Sequence, residues 1–559
     1  MDRDDDEQRR MNDRVAEFVA QIRRFRAGEL TEDAFRPLRL QNGLYVMREA
    51  PMLRIGIPYG VLSSVQLRRL ARIARTYDRG YGHFTTRQNF QLNWVAFEDV
   101  PEILVELAAV RLYSVRTSGN CIRNITSDPF AGVAADERID PRPWCEILRR
   151  WSRLHPDFGR LPRKLKIAVT GAQQDRALIR VHDIGLEILT NDLGETGFRV
   201  LVGGGLGRNP ALAQELEPFL PWRHLVSFCE AIVRVYDRHG RRDDPYKARL
   251  KTLVGALGMA ELRHLVMQEW ARLADGPLTL TDADLERVGS RFPEPPYQDR
   301  PEDDVAHRRR LSGNPAFATW VRRNTHPHRR PGYAIVTLST KHAETASGDL
   351  SADQMEQVAD WADDYSFGEV RVTHEQNLVL PHVRKRDLYT LWEAARAAGL
   401  ASPNRGLLTD IIACPGGRYC DLAKADSIGL AQAIQARFAD PGVAQDIGEL
   451  ALNVSGCVNG CAHHAVAHIG IRGVEKNDRA CYQISIGGDA GYAAGFGTVI
   501  GPGLAGEEVP AAVERLIGTY LSHRRGGERF VETRERLGTE PFRNSVYGEE
   551  QPIAKVANG

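Results

Sequence analysis

Four cysteines in two glycine-containing loops are the residues of this sequence best suited to hold an inorganic group. They occur in ACPGGRYC, as Cys414 and Cys420, and in SGCVNGC, as Cys457 and Cys461. Glycine lets the backbone approach a bound group closely, and thiolates in such loops are the ligands of iron–sulfur clusters. Four cysteines also suit tetrahedral zinc, although zinc pairs are usually about two to four residues apart, closer than the first pair here. Both interpretations stay open on these residues alone.

The composition is typical of a soluble protein with several domains. The chain has 559 residues, of which 42% are hydrophobic and 26% charged, and a formal net charge of +1. This length suggests about three or four domains, and the near-neutral charge predicts no attraction to nucleic acid or to an anionic membrane. The charged start MDRDDDEQRR is unlike a signal peptide, and no apolar run is long enough to span a bilayer. We therefore expect a cytoplasmic protein without disulfide bonds.

An internal repeat positions these loops within the chain. The matches share an offset that drifts from 288 to 284 residues: Gly60-Val-Leu62-Ser63 with Gly348-Asp-Leu350-Ser351, Gln88-Asn89 with Gln376-Asn377, Asp128-Pro129 with Cys414-Pro415, and Gly203-Gly204 with Gly487-Gly488. A shared offset indicates a duplication of about 160 residues rather than short repeats. Each copy begins with a strand, a helix and a strand (residues 83–95 being the third segment of the first copy), and continues with short strands and glycine turns. The predicted fold class is therefore α+β, internally duplicated.

The segment between the two copies has a different pattern. Residues 212–273 have the spacing of apolar residues that is typical of helices. Residues 276–332 are rich in Pro, Arg and Asp, and we expect them to form a surface connector that leads into the second copy.

The two copies differ at the positions that could do chemistry. Where the second copy has Cys414, Cys457 and Cys461, the first has Asp128, Ala172 and Arg176, so it cannot bind the same cluster. The first copy instead carries basic residues: Arg87 in TTRQNFQ, Arg116 and Arg123 in VRTSGNCIRN, and Arg163, Lys164 and Lys166 in LPRKLK. Each alone is typical of a solvated charge, but burying such groups is costly unless an anion compensates. As a set beside the cysteines they predict an anion pocket.

Six motifs now point to a family. TTRQNFQ, NCIRN, LPRKLK, LVGGGLG, ACPGGRYC and SGCVNGC occur in this order in the sirohaem-containing sulfite and nitrite reductases, which the sequence resembles over residues 45–540. It is most similar to the haemoprotein (beta) subunit of assimilatory sulfite reductase. The resemblance implies an N-terminal extension (1–50), paired ferredoxin-like half-domains (51–118 and 332–400), a first sirohaem-binding mixed α/β domain with a helical insert and connector (119–331), and a second mixed α/β domain with the cluster (401–559).

The resemblance also implies roles for individual residues. A [4Fe–4S] cluster would be bound by Cys414, Cys420, Cys457 and Cys461, and Cys461 would bridge to the sirohaem iron. Arg87, Arg123, Lys164 and Lys166 would be the catalytic residues of the distal pocket, while Arg116, Arg163, Gln91 and Asn459 would support the macrocycle. Sirohaem bears many carboxylates, which would explain a local concentration of Arg and Lys in a nearly neutral chain.

The implied function is the six-electron reduction of sulfite to sulfide. Lys166 stands where the family's sulfite reductases typically have Lys and plant-type nitrite reductases Asn. Reduction of nitrite to ammonia is the alternative, and an inactive zinc-stabilised scaffold is a third hypothesis. LVGGGLGR lacks the third glycine of a dinucleotide-binding loop, so electrons are expected from ferredoxin or from an NADPH-dependent flavoprotein subunit. We interpret His463 and His464 as packing residues rather than haem ligands.

Overall fold

The computed structural model describes residues 3–47, 49–302, 304–342 and 344–548. The first ferredoxin-like unit contains α1 (Arg3–Arg26), α2 (Glu32–Gln41), β1 (Leu44–Val46), β2 (Pro51–Gly56), β3 (Val61–Ser63), α3 (Ser64–Tyr77), β4 (Tyr81–Phe84), β5 (Asn89–Leu92) and α4 (Val100–Ala109). The next sheet contains β6 (Thr126–Ser127), α5 (Arg142–Arg153), β7 (Ile167–Thr170), β8 (Ile184–Thr190), β9 (Thr196–Val202) and β10 (Gln214–Pro221). Six helices follow: α6 (Leu225–His239), α7 (Leu250–Leu257), α8 (Met259–Trp270), α9 (Asp282–Gly289), α10 (Val305–Gly313) and α11 (Pro315–Asn324).

The second half of the chain repeats this order. Its ferredoxin-like unit contains β11 (Thr325–Pro327), β12 (Tyr333–Leu338), β13 (Asp349–Ser351), α12 (Ala352–Tyr365), β14 (Glu369–Val372), β15 (Leu378–Arg384) and α13 (Leu388–Ala397). The last unit contains β16 (Ile412–Ala413), α14 (Gly416–Tyr419), α15 (Ser427–Arg437), α16 (Pro441–Ile447), β17 (Leu452–Ser455), β18 (Ile469–Lys476), β19 (Arg479–Ile486), β20 (Thr498–Val499), α17 (Val509–His523), α18 (Phe530–Leu537) and α19 (Glu540–Tyr547).

The ferredoxin-like units exchange strands. One sheet has the order β1-β2-β5-β4-β13 and the other β11-β12-β15-β14-β3, so each copy lends one short strand to its partner. The two copies share a continuous hydrophobic core, and α3 lies against α12 with the salt bridges Arg68–Asp360 and Arg75–Glu356 across the contact, both 2.7 Å. Because each sheet needs a strand from the other copy, neither unit is complete alone.

The duplication extends to single hydrogen bonds. Ser63 and Gln66 form a capping box at the start of α3, and Ser351 and Gln354 form the same box at α12. In both copies the glutamine also donates to a distant carbonyl over 3.0 Å, Gln66 to residue 110 and Gln354 to residue 398. The predicted duplicated α+β fold is confirmed at this level.

The remaining two sheets also match. Each sheet has two parallel strand pairs followed by two antiparallel strand pairs. The strand orders are β6-β7-β8-β9-β10 and β16-β17-β18-β19-β20. Their cores are separate from that of the ferredoxin-like units, and helices α6–α8 cover the first sheet whereas α15 and α17 cover the second. In the second sheet the cysteine loops follow the carboxyl ends of β16 and β17, whereas in the first sheet Arg123, Lys164 and Lys166 come just before β6 and β7.

Three details differ from the sequence predictions. The third segment of each copy is a hairpin of two strands, because Gln88 and Gln376 adopt positive φ (52° and 65°) and turn the chain. Residues 214–221 form the edge strand β10 instead of a helix. The connector 276–332 contains three helices rather than only irregular structure.

A buried ion pair stands in the first copy at the positions where the second has Cys414 and Cys461. Arg176 contacts Asp128 over 2.8 Å and Asp136 over 2.9 Å, and Asp128 is almost fully buried. The Phe130 ring lies under the guanidinium at 5.3 Å. Asp128 and Arg176 therefore neutralise each other's charge at the positions equivalent to Cys414 and Cys461. In the first copy a salt bridge thus takes the place of the two thiols.

We predict that Arg176→Met lowers the stability of the protein by about 3 kcal/mol, because it leaves Asp128 buried without its counter-ion. Removing both charges in Asp128→Leu/Arg176→Met should cost less than the sum of the single variants. The measurement is the thermal midpoint of each variant, with Arg437→Met, which breaks an exposed pair with Glu514, as the control. Additive effects of the two substitutions would contradict the proposed pairing.

Candidate active site

The two cysteine loops begin at the ends of neighbouring parallel strands. β16 ends directly before Cys414 and β17 ends two residues before Cys457. The Gly456 amide donates to the Cys414 sulfur over 3.1 Å, and the Ser427 hydroxyl donates to the Cys414 carbonyl oxygen over 2.7 Å. Gly416 has φ of 59°, and a β carbon there would lie 2.1 Å from the Ser427 hydroxyl oxygen. Glycine is thus required where the first loop packs closely against α15.

The four thiols converge on one place. Burial and, to a smaller extent, the nearby Cys461 raise the pKa of Cys414 to about 11. Burial also raises the pKa values of Cys420 and Cys457, again with a contribution from Cys461. Mutually repelling thiolates favour a multivalent metal group, since metal binding removes the thiol protons and balances the charge. In the described part of the chain no three His, Cys, Asp or Glu side chains could hold a metal ion as they stand, so the fit rests on donor type and convergence.

The turn of the first-copy hairpin touches the second cysteine loop. The Thr86 hydroxyl donates to the carbonyl oxygen of Cys461 over 2.8 Å. Cys461 is the one exposed thiol of the four, whereas Cys414 and Cys457 are buried and Cys420 is half-buried. Arg87 follows Thr86 directly, so this contact joins the thiol set to the basic residues of the other copy.

The four basic residues expected at the distal pocket are brought together. Arg87, Lys164 and Lys166 are half-buried, and their partial removal from water together with neighbouring cations lowers their pKa values: Arg87 to about 9, Lys164 to about 7, and Lys166 well below its ordinary value. Arg123 is the largest cationic influence on both Arg87 and Lys164. Cys461 acts in the opposite direction on Lys164, so the Cys461 thiol is a neighbour of Lys164.

Backbone carbonyls, rather than carboxylates, hold the two arginines. Arg87 donates to the Asn124 carbonyl oxygen over 2.7 Å, and Arg123 donates to the carbonyl oxygens of Thr117 and Gly119 over 2.7 and 2.8 Å. Such bonds fix a guanidinium without neutralising its charge. The full positive charge therefore remains available to an anion.

Asp183 is the carboxylate closest to this group, and it already has a partner. It is fully buried, accepts from the Lys166 amide over 2.9 Å and forms a bidentate pair with Arg249 at 2.8 and 2.9 Å. Arg249 comes from the start of α7 in the helical insert and lowers the pKa values of Lys164 and Lys166. Positive charge therefore exceeds negative charge here, which fits a bound polyanion such as a macrocycle with many carboxylates.

Sequence reasoning missed several members of this group. Arg54, on β2, donates to Gln91 over 3.0 Å and to the Tyr45 hydroxyl over 3.3 Å. Burial alone would raise the pKa of Tyr45, but Arg54 and Arg123 outweigh it and lower that pKa. Arg54 could have been found, because it is a charge within the apolar strand PMLRIG. Arg249 gave no local signal, since only the fold brings α7 to the site.

His182 orients Arg87 from behind. Its Nδ1 lies 2.8 Å from the Leu178 carbonyl oxygen and must carry the proton, so Nε2 accepts from Arg87. Burial and the neighbouring Arg87 hold the pKa of His182 well below its ordinary value. Because Nδ1 carries the only ring proton of the neutral imidazole, Nε2 is free to accept a hydrogen bond from the guanidinium.

The four residues expected to support the macrocycle divide into two groups. Gln91 holds Arg54, and Asn459 contributes a hydrogen bond that lowers the pKa of the Cys457 thiol against the effect of burial. Arg163 is close enough to lower the pKa of Lys164. Arg116 turns away, because its φ of 58° directs the side chain to the carbonyl oxygens of Ser152 and His155.

Arg116 lies in a separate cavity. This cavity, of about 950 Å³, lies beneath α1, and its wall also includes Cys121, Arg153 and Arg160. Arg87, Arg123, Lys164 and Lys166 are not among its lining residues. Arg241 and Arg242 form surface pairs with Asp243 and Asp237.

Comparisons with known proteins agree with this geometry. The family model "Nitrite and sulphite reductase 4Fe-4S domain" matches residues 118–273 and 407–554, and "Nitrite/Sulfite reductase ferredoxin-like half domain" matches residues 45–110 and 327–398. These matches define an oxidoreductase built from duplicated ferredoxin-like and 4Fe-4S units. The chain belongs to the nitrite and sulphite reductase family, as the sequence motifs predicted.

Individual relatives carry both activities in their names. A sulfite reductase [ferredoxin] of Mycolicibacterium paratuberculosis is 29% identical, over 88% of this chain and 83% of its own. A ferredoxin–nitrite reductase of Synechococcus elongatus is also 29% identical, over 83% of this chain and 85% of its own. The solved structure of Mycobacterium tuberculosis NirA protein is 27% identical and superposes with a TM-score of 0.76 over 92% of each chain.

Family membership supplies the cofactors that the site suits. They are a 4Fe-4S cluster, which matches the converging thiols, and sirohaem, which matches the uncompensated cations. Among the described residues, the helices include none with the length and apolar character needed to cross a bilayer.

Lys164 gives a pH-dependent prediction for the cofactor-free protein. Its pKa falls from an ordinary 10.5 to about 7 in the folded chain, so the unfolded chain binds more protons between these values. The free energy of unfolding should therefore rise as the pH increases from 7 towards 10. Lys164→Met should weaken this dependence, which Lys166 and Arg87 maintain in part. The variant should be more stable than the unaltered protein at pH 7, with the difference shrinking at pH 9. Thermal midpoints at several pH values measure this, and parallel pH curves for the two proteins would contradict it.

Proposed function

We propose that this protein catalyses the six-electron reduction of sulfite to sulfide, with reduction of nitrite to ammonia as the alternative activity. The observation that carries the proposal is a cluster of four cations that no carboxylate among the described residues neutralises and that lies next to the thiols of the second copy. The four cations are Arg87, Arg123, Lys164 and Lys166. The sulfite preference rests on Lys166, and relatives named for each substrate match this chain equally well.

The residues for the two cofactors follow from their positions. Cys414, Cys420, Cys457 and Cys461 would bind the cluster. Cys461, which is exposed and raises the pKa of Lys164, would also ligate the sirohaem iron. The bound cofactors supply electron storage and an iron that coordinates the substrate. The chain supplies orientation and electrostatics.

The cations have a direct task in this reaction. Sulfite is an anion that must approach a macrocycle bearing carboxylates, and Arg87 and Arg123 offset the repulsion. Both arginines are fixed on carbonyl oxygens, so they need no reorganisation when an oxyanion binds. Their delocalised charge and high pKa suit them to binding rather than to proton transfer.

The lysines suit proton delivery. Burial and the surrounding arginines bring the pKa of Lys164 to about 7, where an ammonium donates a proton readily and regains one from water. Lys166 is held by the Asp183–Arg249 pair through its backbone amide, which leaves its side chain free of a carboxylate. Each S–O or N–O bond that breaks requires protons at the departing oxygen, and these two amines lie on the same extended segment before β7.

The electron donor we propose is ferredoxin. The relatives' names specify ferredoxin, and the GGGLG loop forms a structural turn rather than a dinucleotide site. Cys461 is exposed and Cys420 half-buried, so the cluster would lie close enough to the surface to receive electrons from a docked protein. Turnover with reduced ferredoxin, but not with NADPH and a flavoprotein reductase, is the expected result.

An absorption spectrum with product assays tests the main proposal. The purified protein should show a Soret band and the red-region band of sirohaem, and it should form sulfide from sulfite with a reduced dye as donor. A protein that contains zinc and lacks both bands would refute the enzyme proposal. Faster ammonia formation from nitrite than sulfide formation from sulfite would establish the alternative.

We predict that Lys166→Asn lowers kcat/KM for sulfite about 100-fold and lowers it less for nitrite, because sulfite carries more negative charge through its reduction. The measurement is dye-dependent turnover of both substrates by protein with equal sirohaem content. Lys476→Asn, a change on the exposed end of β18, is the matched control and should leave both values unchanged. An equal loss for the two substrates would contradict a selective role of Lys166.

A further inference from the structure

The loop formed by the LVGGGLGRN motif has no part in the proposed function. It follows β9, and its residues 205–209 are held at one end by paired backbone bonds of 2.8 and 2.9 Å between Gly205 and Ala211. Gly204 could not carry a side chain, since a β carbon would lie 2.3 Å from the His182 carbonyl oxygen. The loop therefore starts directly beside His182, the residue that orients Arg87.

A lysine from another element is inserted into this loop. The Lys251 ammonium, in the first turn of α7, lies 3.3 Å from the carbonyl oxygens of Gly205 and Leu206, 3.0 Å from that of Arg208 and 2.7 Å from that of Asn209. An ammonium has three protons, so these four acceptors satisfy it completely. No carboxylate takes part in this contact.

The other side of the loop touches the second cysteine loop. A β carbon on Gly207, whose φ is 96°, would lie 3.5 Å from the Asn459 carbonyl oxygen. A β carbon on Gly460 would lie 3.4 Å from the Gly207 nitrogen. Both distances are ordinary van der Waals contacts, so the two loops lie side by side between Cys457 and Cys461, and the positive φ of Gly207 (96°) and Gly460 (64°) is what favours glycine there.

An apolar contact reinforces the same junction. Leu206 is buried and packs with Val181 of the first copy and Val466 of the second. The loop is therefore confined between α7 on one side and the residues around the cysteines on the other. Its position depends on the Lys251 contact, because the loop's own sequence of glycines has little conformational preference.

We propose that Lys251 is a positioning residue for the iron–sulfur site: it holds the 205–209 loop against residues 458–460 and so limits the access of solvent to the cysteine loop on the side of the buried Cys457. The proposal rests on the proposed function in one respect, namely that these cysteines bind the cluster. Arg249, two residues earlier, holds the Asp183 that supports Lys166. The first turn of α7 would then fix both sides of the active site, the cationic side through Arg249 and the thiol side through Lys251.

Two variants test this role. Lys251→Met removes the ammonium and keeps the aliphatic chain, whereas Gly207→Ala strains the loop at its contact with Asn459 and leaves Lys251 unchanged. Lys251→Arg restores a cationic donor, and Lys247→Met, which alters an exposed lysine near Asp244, is the matched control. Iron and labile sulfide per chain are measured first for the unaltered protein, since their absence would refute the cluster assignment and not the Lys251 contact.

The readouts are cluster lifetime, cluster potential and loop exposure. In Lys251→Met and Gly207→Ala the cluster absorbance should bleach in air about tenfold faster, since a lost charged hydrogen bond is worth a factor of that order. The midpoint potential should become more positive, because water near the thiolates stabilises the more negatively charged reduced cluster. Trypsin should cleave after the exposed Arg208 faster, in cofactor-free protein as well.

The controls decide the interpretation. Lys251→Arg should recover most of the lifetime and the protection from trypsin, and Lys247→Met should match the unaltered protein. If Lys251→Met and Gly207→Ala keep the lifetime, potential and cleavage rate of the unaltered protein, the proposal is wrong. It is also wrong if Lys251→Arg is as labile as Lys251→Met, because the effect would then follow from packing rather than from the cationic contact.

Discussion

An excess of partly buried positive charge is the constraint on which the active site depends. Arg87, Lys164 and Lys166 lie half-buried together, and the adjacent, fully buried Asp183 is already paired with Arg249. Concentrated like charges are unfavourable in a low-dielectric interior unless an anion or loss of protons relieves them. In the cofactor-free chain the lowered pKa values provide that relief. A bound polyanion would provide it instead and would return the protons, so cofactor binding and the charge state of the lysines are linked.

The duplication explains how one scaffold provides two kinds of site. Gln88 and Gln376 occupy equivalent turns, and each glutamine side chain accepts from the first residues of the following unit, at Ser127 and Ala413, over 3.1 Å. These bonds keep the equivalent loops in equivalent places. What differs is the chemistry of the loops: an aspartate–arginine pair closes the first copy, and thiols take the same positions in the second. A charge pair can replace a metal group because both bring opposite charges together in one compact contact.

The sequence revealed the family, the duplication and the members of the site that lie in short motifs. Lys164 and Lys166 could be assigned to one side of the chain, because side chains two residues apart on an extended segment point to the same face. Other features depend on distant contacts. Arg249 reaches the site because α7 packs over the first sheet, and Arg116 leaves it because positive φ reverses its side chain. Residues 214–221 pair as an edge strand with β9 although their pattern is not that of a strand.

The anchoring of the arginines shows why the site is distributed over several segments. A carboxylate placed beside Arg87 or Arg123 would hold it equally well but would cancel the charge that an anionic substrate needs. Carbonyl oxygens avoid that loss, yet each arginine then requires a loop whose carbonyls point inward, as Thr117 and Gly119 do for Arg123. Lys251 follows the same rule at the thiol side, where four carbonyl oxygens receive its ammonium. Holding cations on peptide dipoles rather than on acids is therefore the common physical solution on both sides of this active site.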